Sequence, residues 1–187
     1  ATVYLRNVSH CRIRNLDISN YRRATSHAKH GVYVEAYNRD TVSNICLSGL
    51  NVHDINGDLG EIRNGGIAFY CHGSVPSRFN GITVENCHLH DIDRTALWTW
   101  SDWANRTVSD NGDWYPSLNV VFRSNVVERS SHNGIIVRVA AAPRIEYNLF
   151  KECGVKGSGN ATFSFNCDDP LFQFNESYGT VYNPGDT

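Results

Sequence analysis

The sequence predicts an all-β solenoid: a single-stranded parallel β-helix of about six coils, each built from three short strands. Three observations predict it. An alternating run recurs six times, as VYL, GVYV, GIAF, ALWT, GIIV and TFSF. Counted from Val3, Val32, Ile67, Leu97, Ile135 and Phe163, the runs are 29, 35, 30, 38 and 28 residues apart, the size of one supersecondary unit in a stacked repeat. Within each repeat the hydrophobic period is two, with almost no helical periodicity.

Each coil then follows in order. VYL leads to RIRNLDI, GVYV to CLSGLNV, GIAF to TVENCHL, ALWT to VFRSNVV, GIIV to RIEYNLF and TFSF to LFQFNES. The fifth coil shows the plan most plainly: Gly134, IIVRV, a turn at AAAP, RIEY, Asn148, LFKEC and Gly154. Two turns separate three short strands. Between the second and third strands Asn125, Asn148 and Asn175 share one offset, preceded in the earlier coils by Leu16, Leu50 and Cys87. Asn tolerates the left-handed conformation, and stacked amides can bond along a column. Leucine-rich repeats are excluded, because these repeats are longer and lack a helical segment.

With 187 residues, 41% apolar, 19% charged and a net charge of −2, the chain reads as one globular β-helix over residues 1–187. No uninterrupted apolar run is long enough to span a bilayer, and basic residues are dispersed, so neither membrane nor nucleic acid is an expected partner. Ala1 leads directly into strand-like TVYL, as expected of a processed or excised piece of a longer protein. Coils that begin and end without a capping helix need covering by further domains or chain segments. Six cysteines have no CxxC spacing, so a zinc site is not expected. Inward-facing Cys71 and Cys167 would stand about 14 Å apart, too far for a disulfide.

The phrases TVENCHLHDID and LSGLNVHDING, with the recurrent GI-x-F/V openings, resemble the right-handed parallel β-helix (pectate-lyase-like) superfamily, whose repeats are the PbH1 type. The resemblance covers nearly the whole chain. It implies the fold, with a right-handed wind, and a carbohydrate-active protein: glycoside hydrolase, polysaccharide lyase, or a non-catalytic glycan-binding or structural shaft. It also implies secretion or another extracytoplasmic location. A lyase would bring Ca²⁺ as cofactor; the hydrolase reading needs none. Fold alone does not decide activity.

Strand alternation separates core from surface. The expected inward columns are Val32/Ile67/Leu97/Ile135/Phe163, Val34/Phe69/Thr99/Val137/Phe165 and Ala36/Cys71/Ser101/Val139/Cys167. The outward columns become Tyr33/Ala68/Trp98/Ile136/Ser164, Glu35/Tyr70/Trp100/Arg138/Asn166 and Tyr37/His72/Asp102/Ala140/Asp168. Aromatic rings beside convergent polar groups suit a polysaccharide or oligosaccharide, because pyranose C–H faces pack on rings while hydroxyls need donors and acceptors. Glu35, Tyr70, His72, Trp98, Trp100 and Asn166 are therefore expected to line subsites. The long aromatic loop at 103–116, with Trp103 and Trp114, would wall them. Asp102 and Asp168, two coils apart in one column at roughly 9.6 Å, would be acid and base, near the roughly 6.5–9.5 Å of inverting glycosidases. Arg138 lies between them, able to hold a carboxylate. No metal ligands are assigned. The HDI phrases at His53 and His90 read as stacked polar partners, and Asn56, Asp58 and Glu61 match no established Ca²⁺ loop.

Overall fold

The computed structural model describes residues 1–22, 27–106, 113–157 and 159–180, and every element among them is a strand. The first sheet stacks β1 (Val3–Arg6), β4 (His30–Tyr37), β7 (Gly65–His72), β10 (Thr95–Ser101), β13 (Ile135–Arg138) and β17 (Thr162–Phe165). The second stacks β2 (Cys11–Arg14), β5 (Thr41–Ser48), β8 (Arg78–Glu85), β11 (Ser117–Arg123), β15 (Arg144–Glu146) and β18 (Leu171–Gln173), with β14 (Ala140–Ala141) beside β11. The third stacks β3 (Asp17–Asn20), β6 (Asn51–Ile55), β9 (His88–Ile92), β12 (Val126–Ser130), β16 (Leu149–Lys151) and β19 (Glu176–Tyr178). All pairings are parallel, each strand against its counterpart one coil away. This is the three-sided parallel β-helix that the repeat spacing predicts.

Inside the tube, Val32, Ile67, Leu97 and Ile135 form one fully buried column, as expected. Phe69 packs edge-on to Phe79 at 5.6 Å and beside Phe122 at 6.4 Å, filling the middle coils. Each such side chain contributes about 1.5–3 kcal/mol on burial. The six cysteines are free, with Cys71, Cys87 and Cys153 buried as small apolar groups.

The coils turn at stacked left-handed residues. One column precedes the Asn offset: Asn15, Gly49, Asn86, Ser124, Tyr147 and Phe174. Another sits within the second sheet, at His10, Asn44, Gly81, Asn119, Ala142 and Asp169. The expected ladder therefore exists, but the left-handed residue is its predecessor. Asn125 and Asn148 instead point inward, 1% and 2% exposed. Each amide oxygen accepts the preceding coil's backbone N–H (Cys87 to Asn125, Asn125 to Asn148, Asn148 to Asn175, all 3.0 Å). Each amide nitrogen donates to a carbonyl of the preceding coil, at Val84, Phe122 and Ile145. The turn thereby satisfies backbone groups that have no strand partner.

The sixth coil departs from the expected register. Ile135 pairs with Thr162 and Arg138 with Phe165, so Phe163 and Phe165 take the outer side and Thr162 and Ser164 the inner. The alternation in TFSF favours buried phenylalanines. In the stack, Phe163 instead packs into an outer cluster with Trp98 and Ile136, while Phe165 is 61% exposed. A one-residue slip reverses every side chain, and it moves Asn166 and Asp168 out of their assigned columns. The first coil's inward Val3, Leu5 and Ile13 are only half-buried. Residues 181–187, part of the expected C-terminal end, lie outside the described residues.

Asn148→Ala should lower unfolding stability by about 3 kcal/mol, because the Asn125 N–H and the Phe122 carbonyl lose their buried partner. The urea midpoint measures it, and Asn175→Ala in the more exposed last coil should cost less.

Candidate functional site

The outer face of the first sheet gathers one continuous column: Arg6, Glu35, Tyr70, Trp100, Arg138 and Phe165. Glu35 is its anchor, 5% exposed although it projects from the outside of the tube. Its Oε1 accepts the Tyr4 hydroxyl and faces Arg6 Nε at 3.2 Å, and its Oε2 meets His72 Nε2 at 2.8 Å. Burial pushes this carboxyl upward, but the bonds from Tyr4 and His72 and the charges of His72 and Arg6 outweigh it. The net result lies below the ordinary glutamate value.

From Glu35 the network runs toward coil four. The His72 ring stacks on Tyr70 at 4.4 Å and 13°, and Tyr70 donates its hydroxyl to Asp102 Oδ1 at 2.7 Å. Burial, with Asp102 second, pushes the Tyr70 phenol up to about 12, so it stays a donor at neutral pH. Asp102 itself is exposed, and its Oδ2 has no partner among the described residues. Tyr37 completes the surface, with Arg6 4.1 Å over its ring and His72 4.9 Å away. Glu35, Tyr70, His72, Trp100 and Asp102 are thus brought together on one face. Tyr4 and Arg6 belong to the same face, and the sequence reading missed them, although they occupy alternate positions in the first run.

Several expected site residues lie elsewhere. Trp98 is on the outer side but 1% exposed, packed on Ile136 and Ala68 and edge-on to His30 at 5.8 Å. Gly65 makes room for it, since a Cβ there would approach Trp98 Nε1 to 2.7 Å. Trp98 is therefore the covered floor of the site. Trp103 packs against the tube's own core and closes the coil corner, so it does not wall the cleft. Arg106 lies over the Trp114 ring at 3.8 Å and bonds Asp168 at 2.8 Å. Asn166 donates to the Ala104 carbonyl at 2.6 Å and accepts from Arg106, so it binds the loop instead of standing beside Trp100.

Asp168 does not share a column with Asp102. It pairs with Ala141, and Ala140 pairs with Ser117, because the chain turns into the second sheet after Arg138. The loop's returning limb is held by Tyr115, whose hydroxyl donates to Asp40 at 2.5 Å. Its residues 107–112 lie outside the described residues. The loop is thus fixed at coil six and at coil two, along one edge of the aromatic face.

The HDI phrases form a separate ladder on the third sheet. His53 and His90 stack at 5.1 Å, each bonding the following aspartate at 2.7 Å, and those aspartates are left-handed. Among the described residues no group of three His, Cys, Asp or Glu is arranged to hold a metal. Asp58 caps Gly60 N–H and Glu61 pairs with Arg63. The basic loop from Arg22 to Lys29 lies partly at 23–26, outside the described residues. An open recess of about 770 Å³ on the second sheet and one of about 540 Å³ beside the third are lined mainly by polar or charged groups, such as the pairs Glu85–Arg123 and Asp91–Arg129. Neither assembles aromatic rings, so the first sheet is the better sugar platform.

No protein-family model matches the chain. It is similar to a lacto-N-biosidase of Bifidobacterium longum subsp. longum, at 25% identity over 96% of this chain and 15% of that protein. Among solved structures it is similar to the GH136 lacto-N-biosidase from Eubacterium ramulus. The native form has a TM-score of 0.81 at 25% identity, over 94% of this chain and 34% of the other. The selenomethionine form has a TM-score of 0.76 at 22% identity, over 94% and 38%. The chain spans about a seventh of the curated relative and about a third of the solved ones.

His30 supports the floor of this site and sets its acid limit. Its ring stacks on Tyr33 at 4.7 Å, and its Nε2 lies 2.7 Å from the Arg63 carbonyl, which makes Nε2 the protonated nitrogen. Burial lowers its pKa to about 4. The unfolded chain binds the extra proton first, at about pH 6.5. The contribution is therefore complete above that pH and is lost as pH falls toward 4, amounting to up to about 3 kcal/mol. Urea midpoints between pH 4 and 7 should show this slope, and His30→Gln should flatten it.

Proposed function

We propose that this chain is the β-helix part of a glycoside hydrolase that cleaves an oligosaccharide or polysaccharide on the outer face of its first sheet. We further propose that the substrate is of the kind lacto-N-biosidases act on. The observation that carries this reading is the Glu35–His72–Tyr70–Asp102 network, an exposed carboxylate at the end of an aromatic strip, in a chain similar to those enzymes along nearly all its length. Sugar rings would pack on Tyr37, Tyr70 and Trp100, with their hydroxyls bonding His72 and Asp102. We also place the fold with the pectate-lyase-like superfamily and its PbH1 repeats, and the protein outside the cytoplasm, where glycans are met. Further segments would cover the coil ends.

In this mechanism Asp102 is the reacting carboxylate, base or nucleophile. Tyr70 fixes one oxygen and leaves the other toward the substrate. Glu35 is a positioning residue: saturated by Tyr4, Arg6 and His72, it orients the imidazole that stacks on Tyr70. Asp168 is kept as the second carboxylate. Arg106 bonds it at 2.8 Å, so Asp168 can reach a substrate only if substrate entry draws Arg106 away. The bond cleaved is the glycosidic C–O: water supplies hydroxyl to the anomeric carbon and a proton to the leaving oxygen. A second reading, a glycan-binding module whose catalytic coils lie elsewhere, draws on the small share of the relatives that the chain covers.

Asp102→Asn should reduce turnover about 10²–10⁴-fold with little change in unfolding midpoint, read as new reducing ends from neutral and acidic glycans. Asp168→Asn should do likewise, and normal turnover there would leave Asp168 only its role in holding Arg106. Binding without cleavage by the parent chain would favour the module.

A further inference from the structure

Phe165 ends the outer column of the first sheet among the described residues. It pairs with Arg138 one coil back, and the Arg138 guanidinium lies 4.5 Å over the Trp100 ring. Trp100 and Phe165 therefore stand two coils apart, about 9.6 Å. The strand's other phenylalanine, Phe163, packs into the outer cluster with Trp98 and Ile136, whereas Phe165 is 61% exposed. Burying Phe163 fixes the phase of the strand, and with it the side on which residue 165 lies. It does not call for a ring at that position. An isolated apolar residue on a surface is ordinary, but this one continues a row of aromatic groups on the face already described.

Polar groups flank the ring along the chain and along the column. Asn166 follows it, left-handed at φ 55°, and ties down the loop after Asp102. Its amide nitrogen donates to the Ala104 carbonyl at 2.6 Å and its oxygen accepts from Arg106. Arg106 spends Nε on Asn166 and Nη1 on Asp168, two of its three guanidinium nitrogens. On the side of the preceding coil stands the Arg138 guanidinium. A ring set among amide and guanidinium donors suits a pyranose, whose C–H face packs on the ring while its hydroxyls take hydrogen bonds.

We infer that Phe165 carries a distal subsite of this face, and that the ligand is an extended glycan lying across the coils from Tyr37 past Tyr70 and Trp100 to Phe165. Those rings belong to coils two, three, four and six, a span of about 19 Å. Trp100 would hold a sugar close to Asp102, and Phe165 one further along the chain, beyond Arg138. A short glycan seated at Asp102 leaves the Phe165 ring bare, so the subsite selects for length. This inference rests on the glycan-cleaving reading and adds to it the class of substrate, a chain several sugars long.

The test follows lacto-N-series oligosaccharides from two sugars to six on the parent chain, Phe165→Ala and Phe165→Tyr, with affinity from calorimetry and turnover from new reducing ends. The parent should bind the longest about tenfold more tightly than the shortest. Phe165→Ala should lose most of that gain, through KM more than kcat, at an unchanged unfolding midpoint, and Phe165→Tyr should keep it. Affinity that does not rise with length overturns the subsite. So does a gain that survives Phe165→Ala, the result expected if another protein segment covers the ring, or a loss equal for short and long chains. Cleavage of the short glycan under those results would leave the hydrolase reading standing. Length-dependent binding through Phe165 without cleavage would keep the subsite and overturn the hydrolase reading. Failure to bind any length would overturn both.

Discussion

Everything in this molecule depends on parallel pairing of each strand with its counterpart one coil away. The pairing holds successive backbones about 4.8 Å apart, so a side chain's neighbours are set mainly by its column. Inward columns must be apolar or small because the tube is narrow and dry. Corners must stack too, which is why left-handed residues recur at the same places and why Asn125, Asn148 and Asn175 share one role. An amide at such a corner bonds two backbone groups of the coil before it, so turn and strand obey one spacing.

The same constraint builds the site. Arg6, Glu35, Tyr70 and Trp100 meet because their coils are in register, although they are spread across most of the first hundred residues. A carboxylate as covered as Glu35 is stable only with close donors. Stacking supplies them from the coil before, through Tyr4 and Arg6, and the coil after, through His72. Rigidity at Glu35 then passes through the His72–Tyr70 stack to the exposed Asp102. An exposed carboxylate on a rigid scaffold, close to water and held by one strong donor, is an arrangement that catalysis can use.

Much of this was legible in the sequence. Repeat spacing revealed the coil, and period-two alternation sorted inside from outside in coils two to four and in coil five as far as Arg138, where Val32, Ile67, Leu97 and Ile135 do share a column. Beyond it Ala140, expected outside, lies in the core. Alternation failed in coil six because TFSF by itself favours buried phenylalanines, and the phase was decided instead by Phe163 joining Trp98 and Ile136 outside the tube. It also could not show what lies over an outward residue. Trp98 faces away from the core and is still covered, because Gly65 has no side chain and His30 leans across. Asp168 was misplaced because the turn after Arg138 comes early, and no local signal marks where a strand leaves one sheet for the next. Tyr4 and Arg6 were readable by extending the outward columns one coil further back.

The loop after Asp102 has a wider consequence. Ser101 is still paired with Cys71 when the chain leaves the first sheet, and Ser117 is already paired with Ala140 when it enters the second. Departure and return are both in register, so beyond Trp103, which packs on the core, the strands set few limits on what is inserted between them. The segment is a cassette: its length and chemistry can change without any strand having to move. The segment can therefore diversify faster than the tube itself, and one transplanted from another such protein would arrive beside the same carboxylate.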